Sequence, residues 1–395
     1  MTTATPIDRL RTALLADEDA QLRLAPLADT NAFLDAIAAY AAEQGLPIAR
    51  ETFAAGLARA ATPQMQRQLP ALLLAEAPPR HWLPVDLKRH EGRILVEWLH
   101  FAGLPLTDPF FEETQRKAQI LPFNRLMRCA TPLAAIESFA EAPPPDGLVF
   151  HMSRCGSTLV GQMLGAAADH VVVAEPPVLD TVIQLVGRGV LPPGTIGAMA
   201  GALTRDRRGG ARHRFIKLDA WHCFVLPMLR RVWADTPWVF LYRDPVEVLV
   251  SQQRRPGMHC RPGVLPLDAY GIDAYEAAAA SDYPAWILDR ICRAAADAVD
   301  DRCLLLDYAA LPGALVDSVL PHFGVAPGGA DRARIVAAGG RYSKAPAQAF
   351  TPDSATKQQE ASPALRAVAA PLLETHARLE ALRRGQHAPV PVAVS

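Results

Sequence analysis

The chain has 395 residues, half of them apolar and 21% charged, which excludes wholesale disorder and is enough for two domains. Its 40 basic and 41 acidic residues leave a net charge of −1, which argues against a generic nucleic-acid or membrane-surface binder. Only five of the basic residues are lysines (Lys88, Lys117, Lys217, Lys344 and Lys357), so each lysine stands out against an arginine-rich background. Six scattered cysteines form no CxxC pair and no His/Cys spacing of a zinc site. No signal-peptide pattern follows Met1 and no run of about 18 apolar residues occurs. These features predict a soluble, reduced, cytoplasmic protein without a membrane span.

Residues 1–75 read as a helical N-terminal region. Leu10, Leu14 and Leu15, then Phe33, Leu34, Ile37 and Tyr40, recur at helical spacing. Gly45-Leu46-Pro47 breaks the second helix, and another starts at Glu51. The unit is an ordinary helical hairpin or a docking surface for a protein partner. Residues 76–146 change character: Pro78-Pro79, Trp82, Pro84, Trp98, Pro105, Pro109 and Phe110-Phe111 suggest an irregular connector or small subdomain. The Pro143-Pro144-Pro145-Asp146-Gly147 run marks a boundary.

Residues 147–395 read as strand, loop and helix in repetition. Apolar runs at Leu148–Met152, Val171–Val173, Phe215–Leu218, Trp238–Tyr242 and Cys303–Leu306 predict buried strands. Separated by helical stretches, such runs imply an α/β fold, a central parallel sheet covered on both faces. Ligands of such sheets bind at the carboxyl ends of the strands. There the first strand opens into Ser153-Arg154-Cys155-Gly156-Ser157-Thr158, followed by a helix. Gly156 permits a tight turn, the helix start offers backbone N–H donors to an anion, and Arg154 adds a fixed charge. A nucleotide triphosphatase would place Lys before the Ser/Thr pair, and a cysteine phosphatase would place Arg where Gly161 stands.

The loop resembles the 5′-phosphosulfate loop of the sulfotransferases that use PAPS (3′-phosphoadenosine 5′-phosphosulfate). A second segment, Phe240-Leu241-Tyr242-Arg243-Asp244-Pro245 through Ser251, resembles the 3′-phosphate segment of that family: an Arg at a strand end, a Pro opening a helix, and a Ser eight residues after the Arg. Phe215-Ile216-Lys217-Leu218, Leu306-Asp307-Tyr308 and Pro321-His322-Phe323-Gly324 are similar to further family segments, although Ala309-Ala310 replaces an acidic pair. The resemblance covers about residues 147–385.

The resemblance implies a P-loop-like three-layer fold, PAPS as co-substrate without a metal, and transfer of a sulfonyl group to a hydroxyl or amine acceptor, a small molecule or a peptide. It carries nucleotide-binding roles to Arg154, Cys155, Gly156, Ser157, Thr158, Arg243 and Ser251. Arg154 and Lys217 are the candidates for holding transition-state charge. Glu175 is the first candidate for general base, as in the tyrosylprotein-type members, with His222 second and His151 third. Arg341, Ser343 and Lys344 form a late basic segment of the kind that closes the nucleotide site. The stretch from Arg205 to Arg214 reads as a mobile basic loop. Two other functions stay open: another P-loop-like phosphoryl transferase, and a non-catalytic nucleotide-binding scaffold.

Overall fold

A computed structural model of the protein describes residues 5–59, 71–342, 345–349 and 353–386. Ser343 and Lys344 lie outside the described residues. The chain divides into two compact units: Met1–Ala142 with Pro176–Thr181 and Ala198–Gly210, and Pro143–Glu175 with Val182–Gly197 and Ala211–Ser395. The first crossing falls at the start of the proline run.

The first unit begins with helices Pro6–Ala16, Glu18–Leu24, Thr30–Glu43 and Arg50–Arg59. Thr5, Asp17 and Asp29 cap the first three by accepting backbone N–H bonds. Leu10, Leu14, Phe33, Leu34, Ile37 and Tyr40 are all buried, as their spacing predicts.

The segment expected to be an irregular connector or small subdomain contains regular β structure. A four-stranded sheet holds β1 (Leu72–Leu73), β2 (Trp82–His90), β3 (Arg93–His100) and β4 (Cys129–Pro132) in the order β1-β4-β3-β2. β2 and β3 are antiparallel and run from Trp82 opposite His100 to His90 opposite Arg93. Glu91 and Gly92, both at positive φ (48° and 77°), make the tight reversal that matches strand twist. Pro84 sits beside a register shift, where its missing N–H is tolerated. Trp82 and Trp98 are buried with their indole N–H groups satisfied, on Gln21 Oε1 at 2.8 Å and Thr131 Oγ1 at 2.9 Å.

The expected mobile basic loop is also corrected at its beginning. Arg205 donates to the carbonyls of Pro78 and Pro79 at 3.1 and 2.9 Å and stacks over the Trp98 and Phe139 rings. Arg207 is buried, donates to Leu104 O at 3.1 Å and lies over Phe101. Aromatic faces and carbonyls take the place of solvent around both guanidiniums.

The second unit is built on five parallel strands, β5 (Gly147–His151), β6 (His170–Ala174), β7 (His213–Lys217), β8 (Trp238–Tyr242) and β9 (Cys303–Asp307), in the order β6-β7-β5-β8-β9. The expected central parallel sheet of an α/β fold is therefore present. Phe150, Phe215, Trp238, Phe240 and Tyr242 are fully buried in it. From β5 the chain moves toward β6, and from β8 it moves the opposite way to β9. The direction of winding thus reverses between the adjacent carboxyl ends of β5 and β8, the place where open α/β sheets hold ligands.

Helix Tyr283–Asp297 lies beside the long helix Ala370–Gln386, joined by a Thr375 Oγ1 to Asp289 Oδ1 bond of 2.5 Å. At the end of that long helix, the Gln386 side chain accepts from Leu305 N–H at 3.0 Å and donates to Cys303 O at 2.8 Å on β9. All six cysteines are buried and unbridged. Among the described residues no helix is long and apolar enough to cross a membrane.

Candidate functional site

The loop leaving β5 is held in an unusual backbone conformation. Ser153, Arg154 and Gly156 all have positive φ, at 77°, 53° and 89°. Two non-glycine residues in this region cost on the order of 1–3 kcal/mol each, so the surroundings must enforce the shape. The enforcing contacts are visible. Ser153 N–H donates to His151 Nδ1 at 3.0 Å, and Gln252 Nε2 donates to Ser153 Oγ at 3.2 Å. The Cys155 side chain points inward, its thiol 3.2 Å from Leu241 O. Burial pushes that thiol up to about 12, so it is an anchor and not an anion or nucleophile. A Cβ on Gly156 would stand 2.8 Å from the Tyr308 ring, so both φ and space demand glycine. Helix Ser157–Leu164 starts directly after it, with Ser157 and Thr158 buried in its first turn.

The next two strands contribute an ionic pair. β6 and β7 align Ala174 with Lys217, and β7 aligns Lys217 with Val149 of β5. Glu175 follows β6 at φ 51°, its N–H bonded to Lys217 O at 2.7 Å. The Lys217 ammonium, 1% exposed, donates to Glu175 Oε1. His151 Nε2 lies 3.1 Å from the same oxygen. Because Nδ1 accepts from Ser153, the proton of a neutral ring sits on Nε2 and is donated to the carboxylate.

Burial alone would raise the Glu175 carboxyl, but the Lys217 charge and the two hydrogen bonds outweigh it and hold the group far below the usual range. Burial, then the Lys217 charge, lowers His151.

At the end of β8, Arg243 is buried and already engaged. Its Nε donates to Glu247 Oε2 at 2.6 Å and one Nη to Asp353 Oδ1 at 2.6 Å and Ser354 Oγ at 3.3 Å. The guanidinium lies 4.0 Å over the Tyr308 ring, and the Arg243 N–H reaches Met152 Sδ at 3.2 Å. Lys357 braces Asp353 from the other side at 2.7 Å. The loops after β5 and β8 are therefore one connected structure, with Arg154 reaching Arg255 O.

The sequence-selected residues divide into two groups. Arg154, Cys155, Gly156, Ser157, Thr158, Lys217, Glu175 and Arg243 line the carboxyl ends of β5 to β8. Ser251 instead turns its hydroxyl back onto Glu247 O at 2.8 Å, within its own helix. His222 serves as a cap: its Nδ1 accepts Asp219 N–H at 3.2 Å, and the Asp219 side chain accepts His222 N–H in return. Lys344 lies outside the described residues.

Glu247, Asp353 and His259 were not singled out from sequence. Glu247 had a signal, standing in the first turn of the helix that opens two residues after Arg243. Asp353 had none, lying 110 positions away. His259 is buried with Nε2 unpartnered among the described residues, beside the Trp221 ring. Burial, with the nearby His151, holds it down to about 4, so the ring is neutral. The chain matches no protein-family model, and a search of curated proteins returns no match to it.

Proposed function

We propose that the protein is a sulfotransferase that moves a sulfonyl group from PAPS to a hydroxyl or amine acceptor and releases adenosine 3′,5′-bisphosphate. One observation carries the reading: a strained, donor-rich loop and a buried arginine flank the reversal of winding between β5 and β8, with a Lys–Glu pair beside them. A P-loop-like three-layer architecture belongs to the same reading. It is favoured by a central first strand that feeds the loop and by neighbours reached in the order β6-β7-β5-β8-β9.

The chemistry of the residues suits the transfer. The N–H groups opening helix Ser157–Leu164 would hold the 5′ anionic oxygens, with Ser157 and Thr158 hydroxyls beside them. Gly156, at φ 89° and packed against Tyr308, makes the turn that presents those N–H groups. Arg154 and Lys217 would balance charge on the sulfonyl and leaving oxygens. As Lys217 turns from Glu175 to the leaving oxygen, Glu175, relieved of that charge, would take the proton of the acceptor as its oxygen or nitrogen bonds to sulfur. The bridging S–O bond breaks and its electron pair leaves with the bisphosphate. Arg243 would meet the 3′-phosphate by exchanging Asp353 for it.

The test is direct. Adenosine 3′,5′-bisphosphate should raise the melting temperature more than ATP with magnesium does, and sulfated products should appear in a lysate supplied with the protein and PAPS. A larger shift with ATP and magnesium would sink the reading and favour a phosphoryl transferase.

A further inference from the structure

The second unit carries another cluster of ligating side chains, packed against Tyr242. Asp307 ends β9, and His376 and Glu380 stand one turn apart on helix Ala370–Gln386. One ligating atom from each lies within 4.8 Å of the other two. We infer that Asp307, His376 and Glu380 form a site for a divalent transition metal that pins the long C-terminal helix to the carboxyl edge of β8 and β9.

Glu380 is salt-bridged to Arg383, but His376 stands apart from that bridge. His376 Nε2 is buried and has no hydrogen-bond partner among the described residues. A buried unpaired imidazole nitrogen costs about 1–3 kcal/mol, and a ring nitrogen of His376 lies within 4.8 Å of a carboxylate oxygen of both Asp307 and Glu380. Three ligating atoms all within 4.8 Å of one another can close on an ion between them. Zinc bonds nitrogen and oxygen at about 2.0–2.2 Å, which sets donors about 3–4 Å apart, a side-chain rotation from the spacing present.

The carboxylates are also oriented from behind, as ligating carboxylates are. Asp307 Oδ1 accepts Ala309 N–H at 2.8 Å. Glu380 Oε1 accepts the Tyr242 hydroxyl at 2.5 Å, and Arg383 donates to Oε1 at 3.2 Å and Oε2 at 2.7 Å. The Tyr242 ring meets His376 edge-on at 5.5 Å and fixes its plane. One imidazole with two carboxylates selects a zinc- or manganese-like ion over magnesium or calcium. Three protein ligands leave a fourth position to water.

The full chain, freed of metal by dialysis against a chelator, is titrated with zinc and then with magnesium, following heat and melting temperature. One equivalent of zinc should bind and raise the melting temperature, with magnesium giving no response. Zinc affinity should fall at least tenfold in His376→Ala and in Asp307→Asn. The second variant keeps the residue's shape and its bond to Ala309, so it serves if the first fails to fold. No zinc binding by the wild-type chain, undiminished binding by either variant, or preference for magnesium would overturn the assignment.

Discussion

Lys217 donates its ammonium to the same Glu175 oxygen that His151 holds at 3.1 Å, so one carboxylate oxygen ties together the ends of β5, β6 and β7. Removing either charge of such a buried pair leaves the other uncompensated, at a cost of about 3–5 kcal/mol. Lys217→Met should therefore destabilise the protein strongly, and adding Glu175→Gln should recover part of the loss. Chemical denaturation of the two single variants and the double variant measures the coupling. Additive losses would show that the pair is not energetically joined.

The same pair sets a pH dependence. Glu175 and His151 are both lowered on folding, so each contributes stability that is full above its unfolded value and is lost as pH falls. For His151 the loss begins below about pH 6.5, and for Glu175 below about pH 4.3. Melting temperature should fall through both windows. Glu175→Gln should flatten the lower one, which a pH series of thermal melts reads.

Arg243 is held by Glu247 and Asp353 in competition with any phosphate. Asp353→Asn should tighten binding of adenosine 3′,5′-bisphosphate about three- to tenfold, and Arg243→Ala should abolish it. Titration calorimetry distinguishes this from a purely structural Asp353, whose loss would weaken binding or leave it unchanged.

Gly156→Ala meets two obstacles, a φ of 89° and a Tyr308 ring atom 2.8 Å from the new carbon. The substitution should cost at least about 1–2 kcal/mol and eliminate nucleotide binding. Tyr308→Ala on the same background relieves the closest contact but leaves Leu311 Cδ1 at 3.0 Å and the φ. Partial recovery of stability without recovery of binding is expected, from denaturation and calorimetry together.

In the first unit, Arg205→Ala removes two carbonyl bonds and two ring contacts. A loss of about 2–3 kcal/mol follows from the bonds to charge and the stacking combined. Arg205→Lys should rescue little of it, because an ammonium cannot fork onto the Pro78 and Pro79 carbonyls while lying flat on Trp98. Denaturant midpoints of the two variants make the comparison.

The five parallel strands were legible because fully buried strands are written as unbroken apolar runs, such as Val171-Val172-Val173 and Leu304-Leu305-Leu306. The hairpin of β2 and β3 was not. Pro84 interrupts it, and Asp86, Lys88 and Arg89 occupy its exposed end, so neither a continuous run nor a clean alternation survives.

The glycine, the loop and the strand-end charges of the candidate site could be read from local order alone. The engagement of Arg243 by Asp353 could not, since nothing near either residue records a partner 110 positions away. Arg205 misled for a related reason: a run of arginines with two glycines looks solvated until the rings that cover it are in place.

Gln386 has a consequence for how copies of this chain behave toward one another. β9 is the last strand of its sheet, and the N–H of Leu305 and the carbonyl of Cys303 are groups that a further strand would claim. One side-chain amide offers the same donor and acceptor that a neighbouring peptide would, and so stops the sheet from growing. Gln386→Ala would reopen that border, and self-association in light scattering, with the core otherwise intact, is the expected sign.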